Sequence, residues 1–169
     1  VLFLFEILYL FLSWVRIDIS RISLKKAVLG VFLVSLTYSV CMGLFNGQGW
    51  TKTVLIDFQN ERLLIYFMIF LLGSLCYKLK VFESNWKNKK LYVAISCSVW
   101  VPVNLYLFLV IYSLLNTGNY LFSELIDVSL ISVSFLLSLL SLLYVTINTF
   151  RYYLDKQGIF LKELTRNSY

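Results

Sequence analysis

The stretch from Glu61 to Lys80 constrains this chain most. Between the charged pair Glu61-Arg62 and the group Lys78-Leu79-Lys80 lies LLIYFMIFLLGSLCY, with no charge from Leu63 to Tyr77. At 1.5 Å per residue, a helix from Leu63 to Val81 reaches about 28 Å, close to the thickness of a bilayer's hydrocarbon core. Lipid satisfies no backbone N–H or C=O group, so a spanning segment is a helix or part of a closed barrel. A barrel strand alternates apolar and polar residues, and this run does not. It reads as a transmembrane helix, and its charged flanks read as two water interfaces.

Composition extends that reading to the rest of the chain. With 60% hydrophobic and 14% charged residues and a mean hydropathy of +0.80, most of the 169 residues need lipid as their solvent. The expected fold class is all-α, a polytopic membrane helix bundle forming a single domain over 1–169. About five transmembrane helices are expected, near 1–15, 27–45, 63–81, 91–115 and 125–150. The first run carries Glu6, lacks a basic leader and has no small-residue cleavage site, so it reads as a helix and not a signal peptide. The tail 151–169 leads toward a further, truncated helix, and the chain reads as an internal fragment of a larger membrane protein.

Counted loop by loop, the 15 Lys and Arg fall 4, 2, 5, 0 and 4 along the chain. The positive-inside rule then puts the basic loops 16–26 and 78–90 and the tail 151–169 in the cytoplasm. The net charge of +6 is explained by this topology and by anionic lipid, so membrane lipids and no nucleic acid are the expected partners. Cys41, Cys76 and Cys97 all lie inside apolar runs without metal-ligand spacing and read as small packing residues, with no metal site.

Polar groups inside or beside the spans are the candidate site residues. Glu6 lies ten residues before Arg16, about 15 Å from the inner boundary, and is expected to face the bundle or a wet cavity. It reads either as a proton or substrate contact, or as a hydrogen-bonded helix contact or an acid near an outer vestibule. In the fifth segment Asp127, Ser134, Ser141 and Asn148 recur every seven residues with Ser138 on the same face. That stripe either lines a polar path or lets helices approach and hydrogen-bond across their interface, which is the commoner use. The outer cluster from Asp57 through Glu61 and Arg62 either recognises a sugar or another polar acceptor, or caps the third helix through Asp57 or Asn60. Pro102 predicts a kink near Ser98, with Asn104 close enough to help satisfy a freed carbonyl, and Gly73-Ser74 predicts a close helix crossing. The chain has no histidine, and it carries no phosphate loop, dinucleotide fingerprint or Ser-His or Cys-His pair.

Three stretches, VLFLFEILYLFLSWVRI, ERLLIYFMIFLLGSLCYKLKVF and FLKELTRNSY, together resemble the integral membrane acyltransferase 3 family, the O-antigen acetylase type. Tyr66-Phe67 and Gly73 match a family helix that reads Tyr-Phe, a few apolar residues, then Gly. Asn167-Ser168-Tyr169 resembles the opening of the family's last helix. The resemblance covers nearly the whole chain in order and spacing, through short motifs. It implies transfer of an acyl group, often acetyl, from acyl-coenzyme A as donor substrate to a hydroxyl of a cell-surface glycan or lipid-linked sugar, with no tightly bound cofactor. The family's catalytic Arg and His lie on its first helix, outside this sequence, so no catalytic residue is assigned here. Residue usage suggests a bacterial source, and the expected location is the inner membrane. A transporter or flippase, an envelope glycan polymerase and a non-enzymatic membrane partner are the rival readings.

Overall fold

The computed structural model describes residues 5–10, 23–45, 47, 49–52, 57–81, 89–116 and 121–150. The fold is an all-α helical bundle. In chain order the elements are α1 (residues 5–10), α2 (Leu24–Leu44), a hairpin of β1 (Trp50–Lys52) and β2 (Asp57–Gln59), one 3-10 turn (Asn60–Arg62), α3 (Leu63–Lys78), α4 (Lys89–Ser98), α5 (Trp100–Leu115) and α6 (Glu124–Thr149). Among the described residues four stretches are long and apolar enough to cross a membrane: Leu24–Leu44, Asn60–Lys78, Lys89–Leu115 and Glu124–Thr149. Of the first expected helix, residues 5–10 are helical and the remainder lies outside the described residues, as do most of loop 16–26, residues 82–88 with Trp86, and the tail 151–169.

The helix ends follow local chemistry. α2 starts at Leu24, before the expected Ala27, and takes Lys25 and Lys26 into its first turn. Long lysine stems lie along apolar surface while their ammonium groups reach water, so charge need not end a membrane helix. α3 stops at Lys78, short of the expected Val81, in a Schellman turn: Lys80 N–H donates to the Tyr77 carbonyl and Val81 N–H to the Cys76 carbonyl, both at 3.0 Å. Lys80 takes the left-handed conformation there, with φ 50°. α6 is capped by Ser123, whose hydroxyl accepts from Ile126 N–H at 3.4 Å, and carries Glu124 and Asp127 in its first turn, where the helix dipole favours acids.

The fourth apolar run is broken at Val99, between α4 and α5. Pro102 cannot donate to the carbonyl four residues earlier, that of Ser98, and its ring crowds it. Asn104 does not reach that group; its amide donates to the Trp100 carbonyl at 2.8 Å. α4 still packs on α6, where the Tyr92 and Thr149 hydroxyls are 3.0 Å apart.

α6 is the centre of the bundle, packed against α2, α4 and α5, while α3 packs on α2. On α2 and α6 most of what is buried is small, while α3 buries Ile65, Leu72 and Leu75. The buried residues of α2 are Ser35 and Gly43, and those of α6 are Ser132, Ser134, Leu136 and Ser138. Many large apolar side chains turn outward, among them Leu29 and Leu33 of α2 and Trp100, Val101, Phe108 and Leu114 of α5. A soluble domain would do the reverse. In lipid, burying a leucine gives little advantage, so small residues that let helices approach closely take the contacts. A Cβ on Gly43 would stand 2.5 Å from Cγ1 of Val128, and the Ser39 and Ser132 hydroxyls are 2.9 Å apart. Four residues back along α2 is four forward along α6, so the two helices run antiparallel.

At Gly73 itself no close crossing is made among the described residues, since a Cβ there would meet nothing within 4 Å. The glycine that serves this purpose is Gly43. Cys41 and Cys97 are exposed and Cys76 half-buried, so the first two do not pack the interior. Truncating both serines of the Ser39–Ser132 pair should give a coupling energy of about 0.6 kcal/mol and no more than about 1.7 kcal/mol, measured by a double-mutant cycle on unfolding in mild detergent.

Candidate functional site

The loop 46–62 builds the site. Expected as a loop with a helix cap, it forms an antiparallel hairpin in which Trp50 faces Gln59, Thr51 faces Phe58 and Lys52 faces Asp57. The hairpin is tied down at Asn60. Its N–H donates to the Gly49 carbonyl at 3.0 Å, its side-chain oxygen accepts from the Thr51 hydroxyl, and its carbonyl accepts from the Tyr38 hydroxyl of α2. Gly49 has φ 145°, a conformation that side-chain-bearing residues rarely adopt. Asn60 therefore does not cap α3. Arg62 holds the position before that helix, with no side-chain cap bond, because the 3-10 turn feeds straight into it.

This anchoring aims Glu61 and Arg62 into a partly open cavity of about 100 Å³ between α2, α3, α5 and α6. Its polar wall is Ser39, Glu61, Arg62, Tyr106 and Ser132, and Gly43, Ile65, Val128, Ile131 and Phe135 complete it. Arg62 Nη2 donates to the Tyr106 hydroxyl at 3.2 Å, and the guanidinium carbon stands 4.8 Å from the centre of the Phe135 ring. Tyr106 in turn leans on Phe135, with centroids 5.4 Å apart. Glu61 lies 3.8 Å from Arg62 Nε, a loose ion pair in which both side chains keep about a third of their exposure. The cavity thus offers a fixed guanidinium, a carboxylate and three hydroxyls beside an aromatic face.

Of the residues singled out in the sequence, Glu61 and Arg62 meet here. Asp57 occupies the strand position opposite Lys52, and its side chain lies outside the described residues. Glu6 does not face the bundle as expected; it is exposed. Phe5 and Tyr9, one turn apart, take the face of α1 that meets Phe67 and Phe70 of α3, and a helical step turns Glu6 away from them.

The α6 stripe does not line the cavity. Ser134, Ser138 and Ser141 donate to carbonyls one turn back, Leu130, Ser134 and Leu137, at 2.7, 2.7 and 2.6 Å, and the Asn148 amide does the same to Tyr144 at 2.8 Å. Asp127 accepts from Leu121 N–H at 2.7 Å and keeps its other, buried oxygen without a hydrogen-bond partner among the described residues. The face of α6 that does reach the cavity is Val128, Ile131, Ser132 and Phe135, at the i, i+3, i+4, i+7 spacing of a helix side. Tyr106, Ser39, Ser132 and Phe135 carry no local signal in the sequence; only the tertiary pairing of α2, α5 and α6 assembles them.

Fold and site together define a helical membrane protein with an arginine-bearing polar pocket at one end of its bundle. Comparison of the chain with protein-family models, curated proteins and solved structures returns no match. Among the described residues no group of His, Cys, Asp and Glu could hold a metal ion.

Proposed function

We propose that this chain is part of a bacterial inner-membrane acyltransferase that moves an acyl group, acetyl foremost, from acyl-coenzyme A to a hydroxyl of a cell-surface glycan or lipid-linked sugar. The observation that carries the reading is the Arg62 pocket. With the basic loops in the cytoplasm, the hairpin and its pocket face the outside, where an envelope acceptor arrives, and the donor approaches from the lysine-rich face. The pocket presents both donors and a carboxylate acceptor, the mixture that polyol recognition requires, and the Asn60 anchor holds them in place before a ligand enters.

The role proposed for Arg62 and Tyr106 is to bind and orient the acceptor. The chemistry falls to a histidine that the family resemblance places on a helix outside this sequence. That base takes the proton of the acceptor hydroxyl as its oxygen attacks the thioester carbonyl. An ester C–O bond forms, the C–S bond breaks, and the proton passes on to the departing coenzyme A thiolate. A transport path along Glu6 and the α6 stripe draws no support from the geometry, since Glu6 is exposed away from the cavity and the stripe hydroxyls are turned onto their own helix.

The test supplies the intact protein in membranes with labelled acyl-coenzyme A and envelope glycans. Label is expected on the glycan, lost when every histidine is replaced and reduced about 100-fold by Arg62→Ala through misplacement of the acceptor. Transfer that survives removal of all histidines, or is indifferent to Arg62→Ala, would refute the proposal.

A further inference from the structure

We infer that the group seated against Arg62 in this pocket is the phosphate of a membrane lipid, a carrier-linked sugar included. This deepens the reading above and rests on it for the role of the pocket. Three observations converge.

The first is depth. Arg62 is the last charged residue before the uncharged run Leu63–Tyr77, so its backbone stands where the hydrocarbon core gives way to headgroups, one side-chain length from the level of lipid phosphates. The second is donor geometry. A guanidinium carries five N–H donors in a planar fork. Among the described residues Tyr106 takes one at 3.2 Å and Tyr66 lies within hydrogen-bonding reach, while Glu61, 3.8 Å from Nε, is too far for a hydrogen bond. Phe135 supports the guanidinium plane from one face. The donors left over match two oxygens of one phosphate, a bidentate match that a lysine cannot make. Within the Ser39–Ser132 pair one hydroxyl donates to the other, which leaves one O–H to serve a further oxygen.

The third is size. The cavity of about 100 Å³ has room for a phosphate against Arg62, and its open side leaves space for the rest of the headgroup. Glu61 on the same rim disfavours a bare anion. It suits a lipid in which the phosphate is followed by a hydrogen-bond donor, an ammonium or a sugar hydroxyl, so that both signs of charge are matched.

The test uses the intact protein in nanodiscs of equal parts phosphatidylethanolamine and an uncharged glucosyl diacylglycerol, with retained lipid read by native mass spectrometry. Phosphatidylethanolamine is expected to be retained in preference to the glycolipid, and Arg62→Gln is expected to cut its retention about tenfold, given the strength of charge-assisted bonds. Tyr106→Phe removes a single hydroxyl and should lower retention severalfold while preserving the fold, checked by unchanged thermal unfolding. Millimolar inorganic phosphate should not displace the lipid. Equal retention of both lipids, retention indifferent to both substitutions, or displacement by inorganic phosphate would each overturn the inference. Acyl transfer that depends on Arg62 without any retained phospholipid would leave the enzyme reading standing and sink this one, and retained phospholipid without acyl transfer would do the opposite.

Discussion

Leu136→Ala is expected to destabilise the bundle by about 2–3 kcal/mol, while Leu137→Ala, one residue along, changes stability by less than about 0.5 kcal/mol. Leu136 is 1% exposed at the centre of α6, the helix that α2, α4 and α5 all pack against, whereas Leu137 is 46% exposed on its outer side. In water both truncations would forfeit hydrophobic burial. In lipid the transfer contribution nearly vanishes, because the hydrocarbon outside is as apolar as the interior. What remains at Leu136 is the cavity itself and the dispersion attraction that its empty side no longer provides, hence a cost at the low end of the range for core leucines. At Leu137 lipid chains fill the space that the truncation opens. Reversible unfolding of the two variants in bicelles measures the difference; equal costs at both positions would mean that α6 is not the packed centre.

How much of the fold is legible in the sequence follows from which interactions are local. The helices are legible because lipid forces each spanning segment to satisfy its own backbone, so long uncharged runs such as Leu63–Tyr77 have one solution. Helix ends are legible to within a few residues, since lysines at 25 and 26 need not stop a helix and the left-handed turn at Lys80 has no sequence mark without glycine. The break at Val99 follows from Pro102, whose effect reaches only one turn. Glu61 and Arg62 stand out as part of the densest polar cluster outside the basic loops. Their partners do not: Tyr106 is one of 12 tyrosines, and Ser39 and Ser132 lie 93 residues apart. The seven-residue stripe of α6 is legible as packing, with Ser134 and Ser138 buried, but not as a lining, because each serine satisfies itself on the carbonyl one turn back.

Gly43→Ala is expected to destabilise the bundle by about 1–3 kcal/mol, and Gly73→Ala to stabilise it by up to about 1 kcal/mol, an opposition of sign between two glycines in apolar helices. Helix propensity alone favours alanine at both sites. At Gly73 nothing lies within 4 Å of the added carbon, so that preference acts unopposed. At Gly43 the new methyl would meet Cγ1 of Val128 at 2.5 Å. Valine is branched at Cβ and stiff in a helix, so it cannot swing aside, and α2 and α6 must separate. Separation would also stretch the 2.9 Å contact between Ser39 and Ser132, one turn away, and reshape the cavity that both serines line. Gly43→Ala should therefore weaken lipid retention at Arg62 as well as stability, although it is not in the polar wall. Restoring room with Gly43→Ala plus Val128→Ala should recover much of both. The double variant separates a steric wedge from any intrinsic need for glycine, because failure to recover would mean that the backbone at 43, and not the approach of α6, makes glycine necessary there.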